Sequence, residues 1–286
     1  MQITCLHILP DDIKHVANII KMFRCASPDC CRNEYIILKD NITEPNTTTI
    51  SGTPVKLYPN NSQFISGKVS ESKYIFIHFL GKTQQEIVVK APMNIIFIWV
   101  LWGWDFYCCH PKIKNKLFEQ ETRKFINRNY NLFYDYNGIV ARNLKIVPHL
   151  YRLYLSLRSF PENIRQGRHY LNAFNRINFI SCFQEEFDYI KEVTNTNAKG
   201  INFYFNSLNE YFPESIDFSQ HSCGTNIILG NSATLENNHL DIFKSISLLP
   251  GINEKKILLP LTYGHTQYGQ LVIENGQKLF NKNIIA

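Results

Sequence analysis

The sequence contains no apolar run long enough to cross a bilayer as a helix. Its longest run, Ile95 to Trp104, is roughly half of the ~20 residues that a spanning helix needs. The N-terminal stretch, Met1 to His15, lacks the basic leader, apolar centre and small-residue cleavage site of a secretory signal, so we expect none. Any membrane contact is therefore expected to be peripheral.

Two motifs that would indicate other functions are also missing. No G-x-G-x-x-G fingerprint follows the first predicted strand, where the sequence reads "HILPDD", and this argues against a dinucleotide-dependent enzyme. The middle of the chain is basic and aromatic, but it contains no recognisable nucleic-acid-binding module. We therefore predict no nucleic-acid partner.

The chain has eight cysteines but no C-x-x-C pair. Adjacent cysteines rarely bond to each other, and a reducing compartment keeps thiols reduced. The spacing of the clustered cysteines also lacks the paired knuckles of a zinc site. We therefore predict free thiols and no metal at the residues that such a site would use, which are Cys25, Cys30, Cys31, Cys108, Cys109 and His110.

The composition is that of a folded protein. At 286 residues, with 44% hydrophobic and 19% charged residues, the chain can form one large or two medium domains. Its formal net charge of +6 favours a partner with negative charge, such as a phosphate-bearing molecule or an anionic membrane. The alternative is that the excess of cations only aids solubility.

Apolar runs joined by helices predict an α/β fold with a mostly parallel sheet covered on both faces. The first run, "QITCLHIL", precedes a helix in which Ile13, Val16, Ile20 and Phe23 have helical spacing. A short helix is predicted around residues 83–89, and the Asn/Thr-rich "DNITEPNTTTISGTP" is predicted to be a loop. Further strands are predicted at "NEYIILK", "VKLYP", "KYIFIHFL", "NIIFIWVLWGWD" and "INFYFNSLNEYFP", and "INFISCFQEEFDYIKEV" is predicted to form a strand and a helix.

Two basic, aromatic segments follow residue 112. They are "KIKNKLFEQETRKFINRNYNLFYDY" and "ARNLKIVPHLYRLYLSLRSF". Such segments are typical of amphipathic helices at an anionic bilayer surface, where aromatic rings insert among the headgroups and Lys or Arg binds phosphate. The alternative is that they cover the sheet.

The segment after residue 225 contains a candidate phosphate site. Residues 227–229 form a predicted strand that ends in Gly230, Asn231 and Ser232, before a helix that begins at about Asn238. Glycine at a strand end and the amides of a helix N-terminus can bind phosphate, although an ordinary strand–loop–helix unit has the same pattern. The pattern repeats with a strand at 256–259, a loop at 260–266 and a helix at 267–280.

Five segments, in this order, resemble glycosyltransferase family 56. They are "LHILPDDIKH", "FIHFL", "WVLWGWDFY", "IILGNSATLENNHLDIF" and "ILLPLTYGHTQY". The resemblance implies a GT-B architecture of two Rossmann-like domains with mostly parallel sheets. Residues 1–214 would bind the acceptor and residues 215–286 the nucleotide-sugar. The second domain is shorter than that of the family, so we expect it to be incomplete.

The resemblance also implies a function and a location. The family moves a deoxy-amino sugar of the 4-acetamido-4,6-dideoxygalactose type from a dTDP-sugar to a polyprenyl-diphosphate-linked saccharide. The product belongs to a surface polysaccharide like enterobacterial common antigen, and synthesis occurs at the cytoplasmic face of the bacterial inner membrane. No cofactor is expected. The alternative is a truncated, non-catalytic member that acts as a remnant or scaffold in polysaccharide assembly.

Candidate catalytic residues follow from the matched motifs. The W-G-x-D motif matches at Trp102, Gly103 and Asp105, and the opening motif matches at His7, Asp12 and His15. Asp105, at a strand end in apolar surroundings that would raise its pKa, is a candidate general base. The other candidates are His7 and His78. Alternatively, Asp105 caps the next helix or fixes the loop by hydrogen bonds.

Candidate donor-binding residues lie near the C-terminus. GT-B enzymes generally need no metal, so backbone amides, helix dipoles and neutral or cationic side chains must stabilise the leaving diphosphate. The pattern G-N-S-x6-H and its neighbours supply the candidates, which are Gly230, Asn231, Ser232, Asn237, His239 and Tyr263.

Overall fold

The computed structural model describes four parts of the chain, residues 3–113, 116–128, 164–202 and 226–286. By their contacts these parts form two compact units. The first and third parts make up the first unit, and the second and fourth parts make up the second unit.

The first unit is built on an eight-stranded sheet with the order β3-β4-β2-β1-β5-β6-β7-β8. Every neighbouring pair is parallel except β3 and β4. The predicted α/β fold with a mostly parallel sheet is confirmed. The strands are β1 Ile3–Leu9, β2 Cys31–Lys39, β3 Asn46–Ile50, β4 Thr53–Pro59, β5 Tyr74–His78, β6 Ile96–Val100, β7 Phe179–Cys182 and β8 Lys199–Asn202.

Helices and apolar side chains cover both faces of this sheet. Along β1, Leu6 and Ile8 pack into one core, whereas Leu9 packs into a second core with Val16 and Ile20. Because both faces are buried, the strands are continuously apolar. The helices are α1 Ile13–Ala26, α2 Ser66–Glu71, α3 Lys82–Lys90, α4 Trp104–Tyr107, α6 over residues 164–174 and α7 Gln184–Thr194.

One predicted loop is wrong. Within "DNITEPNTTTISGTP", β3 pairs antiparallel with β4 as a hairpin at the edge of the sheet. Ser51 and Gly52 form its two-residue turn with φ values of 51° and 75°, a left-handed backbone typical of tight hairpins. The β-branched Thr47, Thr48 and Thr49 suit a strand, so pairing outweighs the polar composition that predicted a loop.

The strand order reverses beside β1. The chain passes from β1 to β2 and β4 on one side, and then returns to β5 on the other side of β1. In open parallel sheets, ligands bind at such a reversal, outside the carboxyl ends of the strands. The loops after β1, β5 and β6 are therefore the expected position of a ligand site in this sheet.

The second unit contains a three-stranded parallel sheet with the order β11-β10-β9. Strands and helices alternate along the chain, which confirms the two predicted strand–loop–helix repeats. Phe243, Val272 and Phe280 fill the core between helices and sheet. The elements are α5 Gln120–Arg128, β9 Ile227–Ile228, α8 His239–Ile246, β10 Ile257–Leu258, α9 Thr266–Phe280 and β11 Ile284–Ile285.

Helix α5 belongs to the second unit by its contacts, whereas the predicted N-terminal domain, residues 1–214, includes it. The carboxylate of Asp241 accepts the backbone N–H groups of Glu121 at 2.6 Å and Thr122 at 2.7 Å. The Nζ of Lys244 lies 2.9 Å from Glu121, and Phe125 packs against the core. Thus α8 caps and anchors α5.

Parts of several predictions lie outside the described residues. These are the basic, aromatic sequence at 129–160, the strand predicted beyond Asn202 and the domain boundary at 214/215. Among the helices that the structure describes, none has the length and apolar character needed to cross a membrane.

Candidate functional site

Asp105 lies at the carboxyl end of the first sheet, and its carboxylate is fully buried. Its Oδ2 accepts the backbone N–H of Leu80 at 2.9 Å and the indole N–H of Trp99 at 2.7 Å. Its Oδ1 accepts the backbone N–H of Trp102 at 3.1 Å. Gly103, with a φ of 86°, turns the chain after β6 and begins α4. One carboxylate thus joins the loop after β5 to the loop after β6.

Burial raises the pKa of Asp105 to about 6, while the N–H groups of Leu80, Trp99 and Trp102 act against that rise. The hydroxyl of Tyr170 also donates to the backbone oxygen of Asp105 at 2.9 Å. This geometry supports the predicted alternative in which Asp105 fixes the loop. Its role as a general base stays a prediction.

His7 and His78 form a buried pair on neighbouring strands. The Nδ1 of His7 lies 3.0 Å from the Nε2 of His78, and the Nε2 of His7 lies 3.1 Å from the Oδ1 of Asn33. Asn33 donates its amide to Ser27 at 2.7 Å, so its oxygen is the acceptor for His7. His7 therefore carries its proton on Nε2 and accepts at Nδ1 from the Nε2–H of His78.

Both imidazoles are neutral in this setting. Burial lowers the pKa of His7 to about 3, against the opposing effect of the Asn33 hydrogen bond. Burial, and then the neighbouring His7, lower the pKa of His78 well below its ordinary value. Phe76 stacks on His7 with ring centroids 4.6 Å apart. All of the predicted catalytic side chains, Asp105 included, are thus fully buried.

An exposed histidine at the same edge was not among the predicted catalytic residues. His15 lies in the first turn of α1, and its side chain is 49% exposed. Its Nε2 lies 3.8 Å from the Oδ2 of Asp12. Its ring packs edge-on against the ring of Trp102, with the two centroids 4.7 Å apart. The match of the opening motif at Asp12 and His15 was the sequence signal for this pair.

In the second unit, residues 229–238 connect β9 to α8 and contain most of the predicted donor-binding residues, so we call them the donor loop. Gly230 has a φ of 71°, and a Cβ there would lie 2.6 Å from the Nε2 of His239, so only glycine fits. The amide nitrogen of Asn237 donates to the backbone oxygen of Ser232 at 3.1 Å and to its Oγ at 2.9 Å. It also lies 3.1 Å from the Oγ1 of Thr234. Asn237 therefore fixes the shape of this loop.

A second loop, after β10, joins the first. Ala233 and Gly264 form a parallel bridge. Ala233 donates its N–H to the oxygen of Tyr263 at 2.7 Å and accepts the N–H of His265 at 2.9 Å. Tyr263, which is 60% exposed, is thereby attached to the donor loop. The structure brings all of the predicted donor-binding residues into one cluster.

His239 is the fully buried member of this cluster. Its Nδ1 lies 3.5 Å from the hydroxyl of Tyr268, and its Nε2 has no hydrogen-bond partner among the described residues. Burial lowers the pKa of His239 to about 4, so the imidazole is neutral at pH 7. It therefore contributes shape and a polar atom to the loop, without a positive charge.

Three successive backbone N–H groups lie in the donor loop. Within the described parts of the chain, the N–H groups of Gly230, Asn231 and Ser232 have no protein acceptor. Helix α8 begins at His239, and its N-terminus adds the positive end of a helix dipole. Successive N–H groups beside a helix N-terminus suit a phosphate.

Groups of three or more His, Cys, Asp or Glu side chains that could hold a metal ion do not occur among the described residues. Comparison of the chain with known proteins gave no matching family model, no matching curated protein and no matching solved structure.

The buried histidine pair predicts that the protein loses stability in acid. Unfolded histidine has a pKa of about 6.5, so the unfolded chain binds more protons than the folded chain below that pH. Each histidine should then lower the free energy of unfolding by up to about 1.4 kcal/mol for each unit by which the pH falls. His78→Gln should remove about one such contribution from the slope of unfolding free energy against pH, measured by urea denaturation between pH 7 and 5.

The matched control is Ile77→Val, which shortens a buried side chain on the same strand, β5, and removes no titratable group. It should lower the free energy of unfolding at every pH and leave the slope as in the wild type. Equal slopes for His78→Gln and wild type would contradict the assignment of a neutral buried pair.

The hydrogen bonds of Asp105 predict a loss of stability in Asp105→Asn. The new NH2 group would face an N–H donor, and we expect the free energy of unfolding to fall by about 1–3 kcal/mol. Asp188→Asn, on the exposed face of α7, should change it by less than about 0.5 kcal/mol. Urea denaturation at pH 7 measures both, and an Asp105→Asn variant as stable as the wild type would show that the carboxylate does not fix these loops.

Proposed function

We propose that the protein is a glycosyltransferase of the GT-B type that resembles family 56. In this proposal it transfers a deoxy-amino sugar of the 4-acetamido-4,6-dideoxygalactose type from a dTDP-sugar to a polyprenyl-diphosphate-linked saccharide. The reaction would contribute to a bacterial surface polysaccharide, with the protein in peripheral contact with the anionic inner membrane. The first unit would bind the acceptor and the second unit the donor.

The donor loop of the second unit carries this proposal. Its glycine lies against a buried histidine, Asn237 fixes its shape, and the N–H groups of residues 230–232 have no acceptor among the described residues. These features suit the diphosphate of a nucleotide-sugar. Tyr263, exposed beside the loop, offers a ring on which the base or the sugar can stack.

Two groups of the protein must take part in the reaction: one stabilises the leaving diphosphate, and the other accepts a proton. The acceptor hydroxyl forms a bond to the anomeric carbon of the donor, while the bond from that carbon to the diphosphate oxygen breaks. Negative charge then accumulates on the diphosphate, where backbone N–H groups and the α8 N-terminus stabilise it. The proton of the acceptor hydroxyl must pass to a general base.

His15 is the residue that we assign as this base. It is exposed at the strand reversal of the first sheet, and Asp12 lies beside its Nε2. In this role the imidazole would take up the proton of the acceptor hydroxyl, with the carboxylate of Asp12 3.8 Å from its Nε2. Asp105 is then a positioning residue, because it fixes the backbone of Trp102, whose ring contacts His15.

A non-catalytic member of a polysaccharide-assembly complex is the second candidate. The observation that favours it is the complete burial of His7, His78 and Asp105, the residues that sequence reasoning proposed for catalysis. Nucleotide binding and turnover separate the two candidates.

Calorimetric titration with dTDP tests the donor site, with UDP and GDP as comparisons. We expect saturable binding that prefers dTDP. Asn231→Ala should weaken it about tenfold, because a polar group of the loop is lost. Gly230→Ala should abolish it, because the added Cβ collides with His239.

Gly251→Ala is the matched control for the glycine variant. Gly251 has the same φ of 71°, but nothing lies within 4 Å of an added Cβ. It should therefore retain dTDP binding with a similar backbone strain. A folded protein that binds none of the three nucleotides would refute the donor site and favour the non-catalytic candidate.

The assignment of His15 predicts a specific loss of turnover. His15→Gln should lower kcat by about 10²–10⁴-fold, the range for removal of a general base, while dTDP affinity stays unchanged. Asp12→Asn keeps the imidazole but removes its carboxylate neighbour, so its loss should be smaller. The assay measures sugar transfer from the dTDP-sugar to a lipid-linked saccharide, and full turnover by His15→Gln would reject this role.

A further inference from the structure

A pocket of about 580 Å³ lies in the first unit, beside the loops that Asp105 joins. Three segments line it: the start of α3, helix α4 with the residues after it, and the first half of α6. Small-molecule sites in proteins have volumes of about 300–1,000 Å³, so the pocket is large enough for one. None of the residues predicted from the sequence as catalytic or donor-binding lines it.

An exposed indole ring lines the pocket. Trp104 is 56% exposed, and its ring stacks on the ring of Phe79, with the two centroids 5.9 Å apart and the planes at 22°. Phe79 therefore supports the indole while more than half of the Trp104 side chain stays accessible. The face of an aromatic ring carries partial negative charge, which attracts the C–H groups on the flat face of a sugar ring.

The backbone beneath this ring has an unusual conformation. Phe79 has a φ of 88°, a value that bulky side chains rarely adopt and that occurs mainly at functional sites. The next residue is fixed on both sides. The N–H of Leu80 donates to the Oδ2 of Asp105 at 2.9 Å, and its carbonyl oxygen accepts the side-chain amide of Gln85 at 3.0 Å. These two hydrogen bonds keep Phe79 against Trp104.

Two hydrogen-bond acceptors on α3 also line the pocket. The Nε2 of Gln85 donates to Leu80, and no residue of the described ranges donates to its Oε1. The Oε2 of Glu86 lies 3.3 Å from the Oγ of Ser62 and 3.4 Å from the Nζ of Lys90. Its Oε1 has no donor in the part of the chain that the structure describes. Both Oε1 atoms can therefore accept a hydrogen bond from a ligand.

This combination favours a neutral sugar ring over other small molecules. A pyranose has an apolar C–H face that fits an indole, and each of its hydroxyl groups can donate a hydrogen bond to an acceptor. Side chains of both charges line the pocket, since Lys82 and Glu86 are both present, so its composition does not require a charged ligand.

We propose that this pocket binds a neutral pyranose, with the C–H face of the sugar on Trp104 and two of its hydroxyl groups donating to Gln85 and Glu86. A free monosaccharide and a sugar residue of a glycan share this chemistry. The inference goes beyond the proposed function and does not depend on it, because the pocket includes neither the donor loop nor His15.

Saturation-transfer difference NMR on the full chain tests the proposal, because it detects weak ligands and reports which ligand protons approach the protein. The probes are the methyl glycosides of glucose, galactose, mannose and N-acetylglucosamine. We expect saturable binding of at least one probe, with the strongest transfer to the C–H protons on one face of its ring. Glucitol has the hydroxyl groups of glucose without the ring, so it should not bind. The free sugars distinguish a monosaccharide site from a site for a residue of a glycan.

Variants at Trp104 test the aromatic contact. Trp104→Ala should raise the Kd of the bound glycoside about tenfold, because the stacking surface is lost. Trp104→Phe keeps an aromatic face and should lose much less. The matched control is Phe64→Ala, which removes another exposed aromatic side chain of the first unit outside the pocket. It should leave the Kd unchanged.

Glu86→Gln tests the hydrogen bonds to the hydroxyl groups. It keeps the shape of the side chain but removes the charge of an acceptor, so the Kd should rise about 3–10-fold. The matched control is Glu71→Gln. The carboxylate of Glu71 also lies near a lysine, 3.5 Å from the Nζ of Lys68, but it does not line the pocket. This control should bind as the wild type does.

Absence of binding by all four glycosides, or binding that Trp104→Ala leaves unchanged, would overturn the proposal. Equal binding of glucitol would overturn it too, because the ring face would then have no role. Tighter binding of thymidine with the same dependence on Trp104 would identify a site for a nucleobase instead. Asn231→Ala should weaken dTDP binding in calorimetry but leave glycoside binding unchanged, so failure of the pocket and failure of the donor site are distinguishable.

Discussion

The hydrogen bonds of the Asp105 carboxylate are the constraint on which the first unit depends. A buried carboxylate is costly unless donors surround it. Here the donors are the backbone of Leu80, the indole of Trp99 and the backbone of Trp102. They come from the strand β6 and from the loops that follow β5 and β6. These hydrogen bonds stabilise the buried carboxylate, and they also determine where Phe79 and Trp104 lie.

In the second unit, neutral polar side chains fix the shape of the donor loop. Asn237 donates within the loop, and His239 fills the space that any side chain at Gly230 would need. Bridging of Ala233 to Gly264 then couples the loops after two neighbouring strands. In both units, polar side chains at the carboxyl ends of parallel strands determine the shape of the loops that follow.

Most of the fold was predictable because its signals are local. Continuous apolar runs identified the buried strands, and helical spacing identified α1. The hairpin of β3 was missed because Thr-rich strands at a sheet edge resemble polar loops. The predicted donor-binding residues lie together because the loops after two neighbouring parallel strands are joined, although the sequence pattern that predicted them also fits an ordinary strand–loop–helix unit. The burial of His7 and His78 could not be predicted from the sequence, because it depends on α1 and β2, which cover them.

The sequence by itself determined the alternation of strands and helices, the parallel sheet and the loop at Gly230, since each depends on residues close in the chain. Only the tertiary structure decided which polar side chains are exposed. It buried Asp105 and left His15 in solvent, and it joined Gln85, Glu86 and Trp104 around one pocket. Those outcomes depend on packing between segments far apart in the chain, and no local pattern of residues encodes such distances.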